Sequence, residues 1–212
     1  MFLQAVALIL GLAAGPIQAE MPPPPADGVA RPVPPVTEDE LVLGDIDAPV
    51  TIIAYTSLVC RNCAAWHKEV LPRIIETEIA TGRARLVYRQ LPTDPRAISE
   101  VATGIVQCAV RENRMNVAGA LFDAQQTMID GGPVMDWYLA GIEASGRNRT
   151  EIEACLADPA TIPALRAVRA SGIAAGVTTM PEFFVNGSLV ASGALDHLQR
   201  ATEAAISESP TL

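Results

Sequence analysis

The chain is short of the residues that hold nucleic acid or metal ions. Lys and Arg together number 15 against 24 Asp and Glu in 212 residues, a formal net charge of −9. A polyanion finds no basic footprint in that balance, which excludes nucleic acid as a partner. Histidine occurs twice and cysteine four times. Only Cys60 and Cys63 are close in sequence, whereas a structural zinc site usually draws on a second close pair; Cys108 and Cys155 stand far from it and from each other. No metal and no other cofactor is therefore expected. There is no internal repeat and no clear dimerisation segment, so a monomer is expected. What the chain has in quantity is apolar surface. With 50% hydrophobic residues, it can bury one substantial core and a subdomain.

The stretch that organises the rest is Thr51-Ile52-Ile53-Ala54-Tyr55-Thr56-Ser57-Leu58-Val59-Cys60-Arg61-Asn62-Cys63. An apolar, β-branched run predicts a buried strand. A few turn-permissive residues follow, then Cys-x-x-Cys, then Trp66, Val70, Ile74 and Ile75 spaced near one helical face. That order places Cys60 at a helix cap and Cys63 one turn in, where their Cβ atoms come within bonding reach.

The placement supplies chemistry. Unpaired N–H groups and the positive end of the macrodipole favour a thiolate there, and Arg61 adds a positive charge, with Asn62 beside it. Lowering the Cys60 pKa from about 8.5 to about 5 would favour the thiolate by roughly 5 kcal/mol. A stabilised reduced form makes the disulfide more oxidising, by about 30 mV per 1.4 kcal/mol. The plainer readings of Cys-x-x-Cys are half a zinc site or a short structural disulfide.

Phe2 to Ala19 contain no charged side chain, and residues 1–19 read as a secretory signal peptide with a cleavage site before Glu20. No Lys or Arg precedes the apolar run, and an uncleaved anchor is the alternative. Either way the remainder is placed outside the cytoplasm, where disulfides persist. Residues 20–40 are Pro-rich and read as an extended, disordered spacer that cannot pack a core. The folded domain is expected over residues 41–208.

Asp47-Ala48-Pro49 reads as a turn into the first long strand, Pro72 should kink or restart the helix after Cys63, and Ala84 to Arg89 reads as a second strand. Strand, helix, strand is one parallel βαβ unit, and Cys-x-x-Cys beside it is the thioredoxin-like redox pattern. From about residue 95 to 171 the pattern is helical, with runs 98–111, 117–128, 133–145, 150–157 and 163–172. Cys108 and Cys155 fall in two of these runs. They are either a second disulfide pinning two helices or two buried free thiols. Strands return at Phe183-Phe184-Val185-Asn186-Gly187-Ser188-Leu189-Val190, where Asn-Gly marks a hairpin. Pro181, at its head, is where a cis peptide bond can sit. An amphipathic helix from Ala194 to about Ile206 closes the chain. His67 is read as a hydrogen-bonded helix residue, the alternatives being a donor toward the thiolate or a metal ligand. His197 is read as surface.

This order of motifs resembles the DsbA-like branch of the thioredoxin superfamily, the periplasmic thiol–disulfide oxidoreductases. The resemblance rests on Cys60-Arg61-Asn62-Cys63 together with Gly176-Val177-Thr178-Thr179-Met180-Pro181-Glu182-Phe183, and it covers roughly residues 41–207. Ser57-Leu58-Val59-Cys60 and Trp66-His67-Lys68-Glu69-Val70-Leu71-Pro72 are further similar to alphaproteobacterial members, as is a cysteine in each of two inserted helices. The resemblance implies an α/β thioredoxin fold with an inserted helical subdomain. It implies that Cys60 is the nucleophile, Cys63 the resolving thiol, and Pro181 a cis proline facing the pair. The Met180 backbone would pair with an extended substrate, and its side chain would tune potential and release. Two departures stand out. Arg61-Asn62 replaces the Pro-His common in oxidising members, and Ala54 stands where many relatives keep a buried acid.

Three functions are weighed. The first is a disulfide oxidase acting on exported or unfolded proteins with free thiols and reoxidised by a quinone-linked membrane partner. The second is a reductase or isomerase of the same fold. The third, further off, is a carrier of metal or peptide through the two cysteines.

Overall fold

The computed structural model describes residues 30, 31 and 33–208. The expected signal peptide and residues 20–29 of the expected spacer lie outside these. Five strands form one mixed sheet in the order β1-β3-β2-β4-β5. The strands are β1 Val42–Leu43, β2 Val50–Thr56, β3 Ala84–Gln90, β4 Glu182–Val185 and β5 Ser188–Val190. β2 pairs parallel with β3 from Val50↔Ala84 to Thr56↔Gln90, and antiparallel with β4. Both central strands are buried on both faces, which is why Ile52 to Tyr55 of β2 and Leu86 to Tyr88 of β3 run apolar without alternating.

Between β2 and β3 the chain forms α1 Arg61–Glu69 and α2 Leu71–Ile74, then a wider π turn over Ile75–Ile79. The break at Val70 falls where Pro72 lacks an N–H to continue the ladder. Gly82, at φ 71°, ends the segment in a left-handed conformation that costs glycine little. The hairpin turn between β4 and β5 has Asn186 at φ 45° and Gly187 at φ 83°, the two positive angles of a type I′ turn. α8 Leu195–Glu208 follows and packs Leu198 into the core.

Inserted between β3 and β4 are α3 Arg96–Cys108, α4 Arg114–Ile129, α5 Val134–Ala144, α6 Arg149–Ala157 and α7 Thr161–Ala174. Each expected helical run lies within a few residues of its helix. One face of the sheet, through Val50, Ile52, Ala54, Leu86, Tyr88 and Phe183, joins these helices in the main core. Cys108 and Cys155 are bonded, with Cα atoms 5.9 Å apart and a sequence separation of 47. Closing a loop of that length removes freedom from the unfolded chain. The double variant Cys108→Ala/Cys155→Ala should therefore lose about 3–4 kcal/mol of stability in denaturant titration. A change below about 1 kcal/mol would show that helix packing alone fixes α6.

The structure corrects the boundary expected at residue 40. The other sheet face, Ile53, Tyr55, Val87, Phe184 and Leu189, is covered in part by Val33 and Val36, so residues 30, 31 and 33–40 form a strap rather than a free spacer. Arg31 donates to the Gly176 carbonyl at 2.7 Å and pairs with Glu182 at 3.3 Å, and Ala30 bridges to Ser188. The Arg89 guanidinium reaches the Pro34 and Pro35 carbonyls at 3.0 and 3.2 Å and the Glu40 carboxylate at 2.5 Å. Proline removes a donor but keeps its carbonyl, and these carbonyls give the strap its grip.

Candidate functional site

β2 delivers Ser57 and Leu58, both buried, to a turn in which the Cys60 N–H donates to the Ser57 carbonyl at 3.1 Å. Cys60 then caps α1 in extended geometry, and its sulfur accepts the Cys63 N–H at 3.2 Å. A thiol here does the work that Ser or Asp does at other caps. Cys60 is half-buried and Cys63 fully buried. The Ser57 N–H points at the Cys63 sulfur from 3.4 Å.

Across from the pair, the Met180–Pro181 peptide bond is cis, and the Cys60 thiol donates to the Met180 carbonyl at 3.6 Å. The loop before Pro181 is held by Glu182. This carboxylate is buried, accepts the Thr178 and Thr179 N–H groups at 2.9 and 3.4 Å, and is paired with Arg31 of the strap. The structure thus brings Cys60, Cys63, Met180 and Pro181 together, while Arg61 and Asn62 are exposed in the first turn of α1. The Cys108–Cys155 bridge belongs to the helical insertion, between α3 and α6.

The Cys63 thiol is the largest influence holding the Cys60 pKa down, to about 7, with the Cys63 and Asn62 N–H groups adding to it against burial. Burial, and then the neighbouring Cys60, push Cys63 well above the ordinary thiol range. The expected value near 5 is corrected to about 7, and of the expected causes the helix N-terminal N–H groups contribute while Arg61 does not. The Arg61 side chain lies in solvent, where its charge is screened, while the hydrogen bonds aim at the sulfur.

Several supporting residues carry no local sequence signal. Gln125 of α4 donates to the Leu58 and Cys60 carbonyls at 2.6 and 3.2 Å, tying the insertion to the loop that presents the sulfur. The Trp66 indole donates to the Gly193 carbonyl at 2.9 Å. A side chain at Gly193 would overlap the Phe183 ring. His67 Nδ1 lies 3.0 Å from the Tyr88 hydroxyl, so its site is that of a hydrogen-bonded helix residue. At Ala54 the strand presents only a methyl group to the core.

Comparisons with known proteins agree with this frame. The family model described as thioredoxin matches residues 36–204. A Rickettsia bellii (strain RML369-C) protein, provisionally named a protein-disulfide oxidoreductase, is 25% identical over 179 residues, covering 82% of this chain and 67% of its own. The crystal structure of Wolbachia pipientis alpha-DsbA1 superposes with a TM-score of 0.68 at 20% identity, over 82% of this chain and 96% of that one. That of a protein-disulfide isomerase from Novosphingobium aromaticivorans gives 0.66 at 18% identity, over 82% and 100%. At these identities the structures establish the DsbA-like form of the fold, helical insertion included.

Proposed function

Because the chain belongs to the thioredoxin family, matched over residues 36–204, we propose that it is a protein thiol–disulfide oxidoreductase that passes a Cys60–Cys63 disulfide to exported proteins bearing free thiols. One observation carries this reading: a half-buried sulfur with a lowered pKa caps a helix 3.6 Å from the carbonyl of Met180. An extended peptide laid along Met180 and Pro181 would bring its own cysteine to that sulfur. The substrate thiolate attacks Cys60, forming a mixed disulfide and breaking the Cys60–Cys63 bond, and Cys63 leaves as a thiolate that takes up a proton. A second substrate thiolate attacks the first substrate sulfur and releases Cys60 as a thiolate. The substrate is oxidised by two electrons and the Cys60–Cys63 pair is reduced.

The sign of the Cys60 shift supports the oxidase direction. A lowered pKa favours the reduced protein above about pH 7, and this advantage fades as pH falls through 7. At pH 7 the gain is about 0.4 kcal/mol, on the order of 10 mV; toward pH 9 it grows to about 2 kcal/mol. The small gain at neutrality is the specific reason for keeping a second reading, in which the dithiol form acts as a reductase or isomerase. A carrier of metal or peptide stands third. The chain is taken to act in the periplasm as a monomer, after export directed by residues 1–19, with a quinone-linked membrane protein restoring its disulfide. Equilibration with glutathione decides between the first two readings. A potential near about −120 mV supports the oxidase, and one near about −270 mV reverses the direction of electron flow.

A further inference from the structure

Cys63 has a proton problem that Cys60 does not. Its sulfur is fully buried, yet disulfide exchange requires it to gain a proton when it leaves and to lose one when it attacks. The groups around it lead inward. Its Ser57 N–H neighbour adjoins Thr56, which pairs in register with Gln90 at the end of β3. The Thr56 hydroxyl and both ends of the Gln90 amide are buried, in residues 0% and 3% exposed. Both side chains stand against the Tyr88 hydroxyl, which also feels the charge of the two sulfurs. Tyr88 is itself buried under α1, its ring stacked 6.2 Å from that of Trp66. Its hydroxyl meets His67 Nδ1 at 3.0 Å. His67 lines a cavity of about 580 Å³ between α1, α2 and α4, and its Nε2 approaches Gly119 on the cavity wall.

We propose that Tyr88 and His67 form the proton route of Cys63, running from the buried thiol through the phenol and imidazole to the water of that cavity. The proposal rests on the thiol–disulfide reading above. When Cys63 leaves as a thiolate, it takes the Tyr88 hydroxyl proton, the phenolate takes a proton from His67 Nδ1, and Nε2 is recharged from the cavity. The reverse sequence removes the Cys63 proton when Cys63 attacks a mixed disulfide. In that step a Cys63–Cys60 bond forms, the bond from Cys60 to the substrate breaks, and the substrate departs as a thiolate. The Thr56 hydroxyl and Gln90 amide, buried beside the Tyr88 hydroxyl, are the polar groups through which this route would reach the sulfur.

The charges facing His67 are Asp123 of α4 and Lys68 of α1, bonded to each other at 3.1 Å, with Cys60 and Cys63 on the far side of Tyr88. Burial outweighs Asp123 and lowers the His67 pKa below its usual range. The ring is therefore neutral near pH 7: its Nδ1–H tautomer supplies the proton when Cys63 leaves, and its Nε2–H tautomer, with Nδ1 bare, accepts the Tyr88 proton when Cys63 attacks, the two exchanging through Nε2 and the cavity.

The test follows a peptide held in mixed disulfide on Cys60 and measures its release by Cys63 in a single turnover across pH. Wild-type release should be flat near neutrality and fall as pH drops through the His67 pKa. Tyr88→Phe keeps the ring on Trp66 and should slow release by about tenfold to a hundredfold, within the range of lost proton-transfer help. Its rate should lose the plateau and climb with hydroxide concentration. His67→Ala should be slowed alike and recover when free imidazole is added, an effect no structural role would produce. The double variant should be no slower than either single one, as for groups acting in one chain. Attack of the reduced Cys60 thiolate on an activated peptide disulfide, in which Cys63 neither gains nor loses a proton, should change less than about twofold in every variant. Tyr88→Phe releasing peptide at the wild-type rate and pH profile would overturn the relay alone. A wild-type Cys60 that forms no mixed disulfide would overturn the functional reading, and the relay with it.

Discussion

Cys60→Ser abolishes disulfide exchange, by on the order of a thousandfold or more as for loss of any attacking nucleophile, while Cys63→Ser accumulates mixed disulfides with substrate. The asymmetry comes from exposure and charge. Cys60 presents a sulfur that is about half thiolate at neutrality beside the Met180 carbonyl. Cys63 is fully buried and held as a neutral thiol. An incoming sulfur meets the first and has no approach to the second. The measurement is trapping with a cysteine-containing peptide, resolved on non-reducing gels and by intact mass. Equal trapping by both variants would remove the assignment of Cys60 as nucleophile. Alkylation of Cys60 in the wild-type dithiol should be half-maximal near pH 7, and in Cys63→Ala it should shift toward the ordinary thiol value of about 8.5, because the largest lowering influence has gone.

Arg89→Met costs about 3–5 kcal/mol, the usual range for removing one member of a buried ion pair. Arg89 is 2% exposed in the middle of the sheet. Its guanidinium serves Glu40, the Tyr55 hydroxyl at 2.7 Å, the Ser171 hydroxyl at 2.9 Å and the carbonyls of Pro34 and Pro35. Methionine fills much of the volume but leaves Glu40 charged and without its cation, and two carbonyls without a donor. Adding Glu40→Gln should restore part of the loss, since the orphaned charge is then gone. Urea unfolding reads both effects, and protease should now cut within residues 30–40 of Arg89→Met before the domain opens. A loss under about 1 kcal/mol would mean that the strap is held by Val33 and Val36 rather than by Arg89.

The βαβ unit, the Asn186-Gly187 hairpin and the inserted helices were legible because each is specified locally, by periodicity, by a breaker or by a turn pair. Cys60 and Cys63 were legible for the same reason, their spacing and the strand before them being contiguous. The strap was not. Its contacts are made by backbone carbonyls of prolines, which leave no pattern in composition, and by Arg89, whose place in the apolar run Leu86-Val87-Tyr88-Arg89 was the available hint. Gln125, Thr56 and Gln90 were equally hidden. Their neighbours come from distant segments, and a glutamine in a helix reads the same on the surface as under an active site. The N–H part of the Cys60 shift was legible, while the larger part was not, because a charge such as Arg61 can be read from sequence and the aim of a neighbouring thiol cannot.

The strap also dictates an order of events. Its partners lie far down the chain: Arg31 bonds to groups 145 and 151 residues later, and Pro34 to one 55 residues later. Residues 30–36 are made early, yet they have nothing to hold until β3, the end of α7 and β4 have assembled. Non-local contacts of this kind are closed late, after the loops they span have been shortened by other structure. Of the described residues, the segment made first is thus the last to be fastened. Its seating reports that both halves of the sheet, on either side of the helical insertion, have come together.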